Sequence, residues 1–402
     1  MERKAVPIIM LTLLIISMLT LAFNIQTVRA EPKTWYVDDD GPADFHTIQE
    51  AISSPEVKDG DTVFVKTGTY FEKVIVNKSV LLIGEDKDTT IIDGRGPLGP
   101  GVNVTSDKVT ISGFTIQYCG DWYADSGLLL YHCNDTLVAG NIIKNNVYSG
   151  IGLAASSDNN ITNNIITDNP YFGVLLAESG NNNISDNVVS KNAHGVYFAG
   201  SGNNFLRDNH MQDNYYNFGV LGISLVDFIQ DIDDSNTVEG KPICYFVNRH
   251  DEQIPPDSGY VAIVNSTNMM VRDLELTKND NGLLFANTNS SIIENVTVTG
   301  NYGGIELWKS SGNTISNSVA SNNQAGIRME TSHSTSVSRN LISNNNQMGI
   351  GIVSGSASNI ISENTISNNL GFGIFIIESE GNSIYHNNLF NNYPYVSTGY
   401  VN

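Results

Sequence analysis

A glycine followed by alternating apolar residues recurs along this chain. It runs Gly127-Leu-Leu-Leu, Gly150-Ile-Gly-Leu, Gly173-Val-Leu-Leu and Gly195-Val-Tyr-Phe. It resumes as Gly282-Leu-Leu-Phe, Gly304-Ile-Glu-Leu, Gly326-Ile-Arg-Met, Gly349-Ile-Gly-Ile and Gly373-Ile-Phe-Ile. The spacing is about 22 residues, and the gap from Gly195 to Gly282 is close to a whole number of such units. Each unit carries a second short apolar run, as at Asn160-Ile161, Asn183-Ile184, Asn313-Thr-Ile315 and Asn359-Ile360. A third follows, as at Asn164-Ile165-Ile166 and Asn364-Thr365-Ile366. Runs this short, with a period of two, predict strands and not helices.

Three short strands cannot bury an apolar face alone, but stacked coils can. Each rung then lies about 4.8 Å above the last, with like residue on like. Crossovers between parallel strands are right-handed. The pattern therefore predicts an all-β chain, a right-handed parallel β-helix with three strands per coil. Asn and Gly punctuate the strands because both tolerate the left-handed backbone of tight corners. Inward Asn side chains are expected to hydrogen-bond up and down the stack as ladders. A leucine-rich horseshoe would need Leu-x-x-Leu-x-Leu and a helical return, which are absent.

The rest of the chain is read against that period. Residues 1–30 form a signal peptide pattern: a basic-leaning start, an apolar run from Ile8 to Phe23, and Val28-Arg29-Ala30 before the cut. Residues 31–115 are a cap and irregular opening coils, with Phe45 to Ile52 as an amphipathic capping helix that closes the open end. Regular coils fill 116–220 and 261–392. Between them, 221–260 breaks the period and reads as an inserted β-hairpin standing off the stack, with Lys241 to Val247 as a strand. The tail, 393–402, has no evident capping helix.

Charge narrows the partners. The chain has 42 Asp+Glu against 21 Lys+Arg. Such a surface repels phosphate backbones, so nucleic acid is not expected as a partner. No later segment is apolar enough to span a membrane. The expected location is secreted: extracellular, cell-surface or periplasmic. Cys119 and Cys133 are candidates for pairing in an oxidising compartment, and Cys244 reads as a buried strand residue.

A family resemblance sits in the opening coils. Thr47-Ile-Gln-Glu-Ala-Ile52, Asp59-Gly-Asp-Thr-Val63, Gly68-Thr-Tyr70, Ile83-Gly-Glu85 and Thr90-Ile-Ile-Asp-Gly94 resemble the pectin-lyase-like superfamily. The later coils and the break resemble archaeal members of the NosD-type group, also described as carbohydrate-binding and sugar-hydrolysis repeats. The resemblance implies three activities: polysaccharide lyase or hydrolase, pectin esterase, and a NosD-like accessory role in copper-enzyme maturation. Val226-Asp227-Phe228-Ile229 matches the middle of an esterase motif, but Gln230 departs from it. Polygalacturonase and alginate epimerase motifs are absent. Copper prefers His, Met and Cys clusters. The histidines are scattered and only His210-Met211 is adjacent, so copper is not expected.

Counting from each Gly, the first residue points in and the second and fourth point out. The outward columns hold Tyr197, Leu284, Ala286, Glu306, Trp308, Arg328 and Glu330. Much of this face is small or apolar, so something is expected to cover or occupy it. Its polar part is a candidate sugar site. Trp308, Lys309, Arg328 and Tyr197 are the binding candidates, with Trp308 stacking on a pyranose. Glu306, Glu330 and Arg328 are the catalytic candidates, the two acids about 8 Å apart as an inverting glycosidase needs. The bland alternative is a surface ion-pair cluster. Asp121, Trp122, Tyr123, Asp125 and His132 form a second cluster, a rim or a turn. Asp231, Asp233 and Asp234 are candidate Ca²⁺ ligands, or a solvated acidic loop. The expected function is a surface β-helix that binds a carbohydrate polymer or cell-surface glycan, with lyase or hydrolase as the alternative.

Overall fold

The computed structural model describes residues 31–96, 98–120 and 125–393, and the backbone of 396–399. The signal peptide pattern, the 121–123 part of the second cluster and most of the tail lie outside the described residues. Among the described residues no helix is long and apolar enough to cross a membrane.

The chain is a right-handed parallel β-helix, as the period predicts. Its first stack has three faces. A nine-stranded sheet runs from Thr34–Val37 to Asp231–Ile232, and a seven-stranded sheet from Val74–Val76 to Tyr216–Leu221. The third face begins at Gly68–Tyr70 and continues to Thr237–Val238. The helix Ile48–Ser53 closes the lower end, burying Ile48, Ala51 and Ile52. Thr47 caps it by accepting from the Glu50 amide at 3.1 Å. Glu72 takes the Ile48 and Gln49 amides at 2.8 Å each, so a carboxylate meets the positive end of the helix.

The Asn ladders form and explain the repeated Asn-Asn and Asp-Asn pairs. Asn164 accepts from the amide of Asn141 at 3.0 Å and donates to Asn187 Oδ1 at 3.1 Å; Asn187 repeats the pattern with Asn209. The residue before each ladder Asn takes the left-handed corner, as Asn163 (φ 56), Asp168 (φ 59) and Asp186 (φ 57) do. One Asn turns the chain and the next satisfies buried backbone groups.

The break at 221–260 does more than carry an insertion. Thr237–Val238 pairs antiparallel with Lys241–Val247. The two-residue turn between them is Glu239 (φ 49) and Gly240 (φ 75), both left-handed as a tight hairpin demands. The expected hairpin is therefore present, but it is embedded in the third face and does not stand off it. Lys241–Val247 then pairs in parallel with Tyr260–Val264, and the sheet runs on to sixteen strands.

This reversal exchanges inside and outside. Strand Tyr260–Val264 sends Tyr260, Ala262 and Val264 into the first core and Val261 and Ile263 into a second, separate one. A second stack thus grows on the opposite face of the same sheet. Its first outward residues, Leu284, Ala286 and Trp308, join the core of the first stack. The apolar outer face foreseen in the sequence is covered here by the end of the first solenoid. Cys119 and Cys133 do not pair: all three cysteines are free and buried. They sit on different coils, with Cys119 Sγ near the Gln117 carbonyl and Cys133 Sγ near Ser156.

Candidate functional site

A cleft of about 460 Å³ opens where the two stacks meet. Phe172, His194, Tyr197 and Leu221 come from the first stack; Asp280, Asn281, Tyr302, Glu306, Gln324 and Arg328 come from the second. The seam is held by backbone. The Asp280 amide donates to the Phe218 carbonyl at 2.9 Å, and the Asn217 amide to the Lys278 carbonyl at 2.6 Å. Asn281 ties it further. Its Oδ1 accepts from the Val220 amide at 2.9 Å and from the Tyr260 hydroxyl at 3.3 Å, while its Nδ2 donates to Glu306 Oε2 at 2.7 Å.

Two glycines make room for two acids. A Cβ on Gly219 would lie 2.2 Å from Asp280 Cβ, and one on Gly303 would lie 1.8 Å from Glu306 Oε1. Asp280 is 4 % exposed and its Oδ1 lies 2.7 Å from His194 Nδ1 across the seam. Its Oδ2 is buried and has no hydrogen-bond partner among the described residues. Burial raises the pKa of Asp280, with His194 opposing the shift. Burial also raises that of Glu306, opposed by the Asn281 hydrogen bond and the Arg328 charge. Tyr197 is raised by burial and then by Asp280 and Glu306, so it remains a phenol and a donor. Aromatic faces line the first-stack wall. The Phe172 and His194 rings stack at 4.8 Å, and the Tyr197 ring lies 5.5 Å from Phe172.

The predicted site residues divide. Tyr197, Glu306 and Arg328 come together in the cleft. Glu306 and Arg328 are direct cross-rung neighbours, and Trp308 faces Glu330 in the same register. Glu330 is held by Arg328 at 2.7 Å, which is the ion pair of the bland alternative. Trp308 is no sugar platform. It is 7 % exposed, under the Phe228 ring at 4.8 Å, with Lys309 Nζ 4.2 Å from its ring centroid. Phe228, at the end of the helix Leu225–Phe228, lies over it, and neither Trp308 nor Lys309 lines the cleft. The carboxylates of Asp231, Asp233 and Asp234 are not among the described groups that converge on one point. Asp231 and Asp233 bracket Arg207 at 2.8 and 3.1 Å. Among the described residues the one converging trio of carboxylates is Asp38, Asp39 and Asp40, an exposed turn. Asp125 accepts from the Gly99 amide at 3.0 Å and His132 packs on Tyr131, away from the cleft.

Sequence reasoning missed His194, Asp280, Asn281 and Tyr302. A signal existed: Phe172 and His194 stand just before the repeat glycines Gly173 and Gly195, and Tyr216 follows in the same column, before Asn217.

A family model described as "Periplasmic copper-binding protein (NosD)" matches residues 56–240 and 232–400. The chain belongs to the NosD family. A curated relative, a cell surface glycoprotein of Methanothermus fervidus, is 30% identical over 106 residues. That stretch is 26% of this chain and spans only 17% of the relative's length. Among solved structures, a pectin methylesterase in complex with a hexasaccharide has a TM-score of 0.36 at 11% identity, covering 63% of this chain and 80% of its own. XylC with xylose has a TM-score of 0.38 at 9% identity, covering 87% of this chain and 86% of its own.

Among the described residues of this NosD-family chain, neither the His210-Met211 pair nor the cleft presents the soft-donor cluster copper prefers. His210 and Met211, adjacent in sequence, point to opposite faces: Met211 is core and His210 is exposed. In the cleft His194 is the one histidine, its Nδ1 is engaged by Asp280, and no cysteine joins it. The remaining donors there are carboxyls, amides and phenols with one thioether, Met348, and one engaged imidazole beside one thioether falls short of the soft-ligand cluster copper prefers.

Proposed function

We propose that this protein is an exported surface β-helix that binds a glycan in the cleft between its two stacks. The observation that carries this reading is Asp280: a buried carboxyl oxygen without a donor, set at the foot of an aromatic wall. Protein binding sites for small polar ligands combine apolar walls with a few fixed polar groups. Here Tyr197 and Phe172 would lie against the C–H face of a sugar ring. Asp280, Glu306, Asn281 and Arg328 would meet its hydroxyl groups. The apolar N-terminal run and the likeness to a cell surface glycoprotein support export. A NosD-like copper role gains no support from the donor set.

The test is a glycan-array screen of the purified protein, followed by titration of each hit. Tyr197→Ala and Arg328→Ala are expected to weaken binding at least about tenfold, the equivalent of one or two lost contacts. Arg207→Ala, in the strand Phe205–Arg207 and paired with Asp231 and Asp233 outside the cleft lining, is expected to leave it unchanged. Silence across the array, or hits indifferent to Tyr197→Ala, would refute the reading.

A second reading, glycoside hydrolysis, rests on Glu306. A carboxyl raised by burial keeps its proton nearer neutral pH, as a general acid requires. Reducing-end release that disappears in Glu306→Gln would favour it over binding alone.

A further inference from the structure

The chemistry of the cleft narrows the glycan, and this inference rests on the glycan reading above. We infer that the cleft accepts a non-anionic sugar and rejects uronate-bearing chains. Three acids stand at or beside the cleft: Asp280, Glu306 and Glu330. Among the described lining residues Arg328 is the one permanently charged cation. Its guanidinium is already held by Glu330 at 2.7 Å, and it also faces Glu306 across the rung. His194 is likewise committed, to Asp280 at 2.7 Å. No free cation is left for a sugar carboxylate.

Burial sharpens the choice. Asp280 Oδ2 is buried and lacks a donor, and a uronate carboxylate can only accept. Set beside Asp280 and Glu306, it would add a third carboxyl to a site whose two cationic side chains are already committed. A neutral or amino sugar brings no further carboxylate to that setting. The recesses are also specific to the acids. Gly219 admits the close approach of Asp280, and Gly303 leaves space for the Glu306 carboxylate. The whole-chain charge of −21 acts in the same direction at longer range.

The experiment compares oligosaccharides of matched length by calorimetric titration at low salt: cello-oligosaccharide as the neutral arm, chitosan oligosaccharide as the amino arm, oligogalacturonate as the anionic arm. At least one of the first two is expected to bind on the order of a hundredfold tighter than the third, since a uronate would be desolvated with no cation free to pair with it. The two non-anionic arms separate a neutral sugar from an amino sugar. Asp280→Asn and Glu306→Gln, tested singly, are expected to narrow the gap by strengthening the anionic arm relative to the others. Equal or tighter binding of oligogalacturonate overturns the inference and leaves the glycan reading standing, as does a gap unchanged in both variants. Failure of all three arms, with an empty array, removes the glycan reading itself and this inference with it.

Discussion

Gly219 and Gly152 occupy one outward column, with Tyr197 beside Gly219 and Leu175 beside Gly152. Replacing each by alanine asks whether the second stack sits where the structure has it. At Gly152 a new Cβ would meet Ser126 Oγ at 2.6 Å, a hydroxyl that can rotate away. At Gly219 it would meet Asp280 Cβ at 2.2 Å and Cγ at 2.9 Å. A Cβ is fixed by its backbone, so no rotamer relieves that clash. The two backbones must part by roughly 1.3 Å to reach a carbon–carbon contact of about 3.5 Å. Parting them stretches the bonds from the Asp280 amide to the Phe218 carbonyl and from the Val220 amide to Asn281, both 2.9 Å. Overpacking costs about 1–3 kcal/mol, and each weakened hydrogen bond adds about 0.5–1.5, so Gly219→Ala is expected to lose roughly 2–6 kcal/mol. Gly152→Ala is expected to stay within about 1 kcal/mol, since a compatible Gly→Ala change also restricts the unfolded chain. Urea unfolding of the two variants beside the parent measures the difference. A Gly219→Ala variant as stable as Gly152→Ala would refute the packing of one stack on the other.

Three further outcomes follow from the same seam and core. Phe228→Ala removes the ring over Trp308 and is expected to cost about 3–5 kcal/mol. With Trp35 and Trp122 replaced by phenylalanine, the remaining emission should shift to longer wavelength; an unmoved spectrum would mean that Phe228 does not shield Trp308. Burial raises the folded pKa of Asp280, so the native state holds a proton the unfolded chain has released. That contribution is present below the ordinary Asp value and is lost as pH rises through the folded one. Asp280→Asn escapes the loss, so its melting temperature should gain on the parent as pH rises above about 4; a constant difference would contradict this. Burial pushes the Cys119 and Cys244 thiols up to about 12, and Cys133 in the same direction. A thiol reagent should find none of the three in the native protein and all three after denaturation. Fewer after denaturation would reveal a disulfide.

The repeat was legible because a solenoid writes its fold locally. Every coil meets its own near-copy, so glycine spacing, period-two strands and the Asn pairs at 163–164 and 181–182 each state the same geometry. The inward and outward alternation of Tyr197, Glu306 and Arg328 followed from counting. What local pattern could not carry was the reversal at Glu239-Gly240. That turn lacks the Asn-Gly signature of its type, and it decides which side of the sheet is interior for every strand that follows. Trp308 was misread for this reason. Its column points outward, as counted, but outward there faces the end of another stack.

The sequence by itself therefore determined the coil, its strands, its ladders and its capping helix. These depend on contacts between neighbouring rungs, which the repeat encodes directly. Only the tertiary structure decided the site. His194 and Asp280 are 86 residues apart. They meet because a two-residue turn folds the second stack back across the end of the first, and the packing of Gly219 against Asp280 has no periodic trace to read.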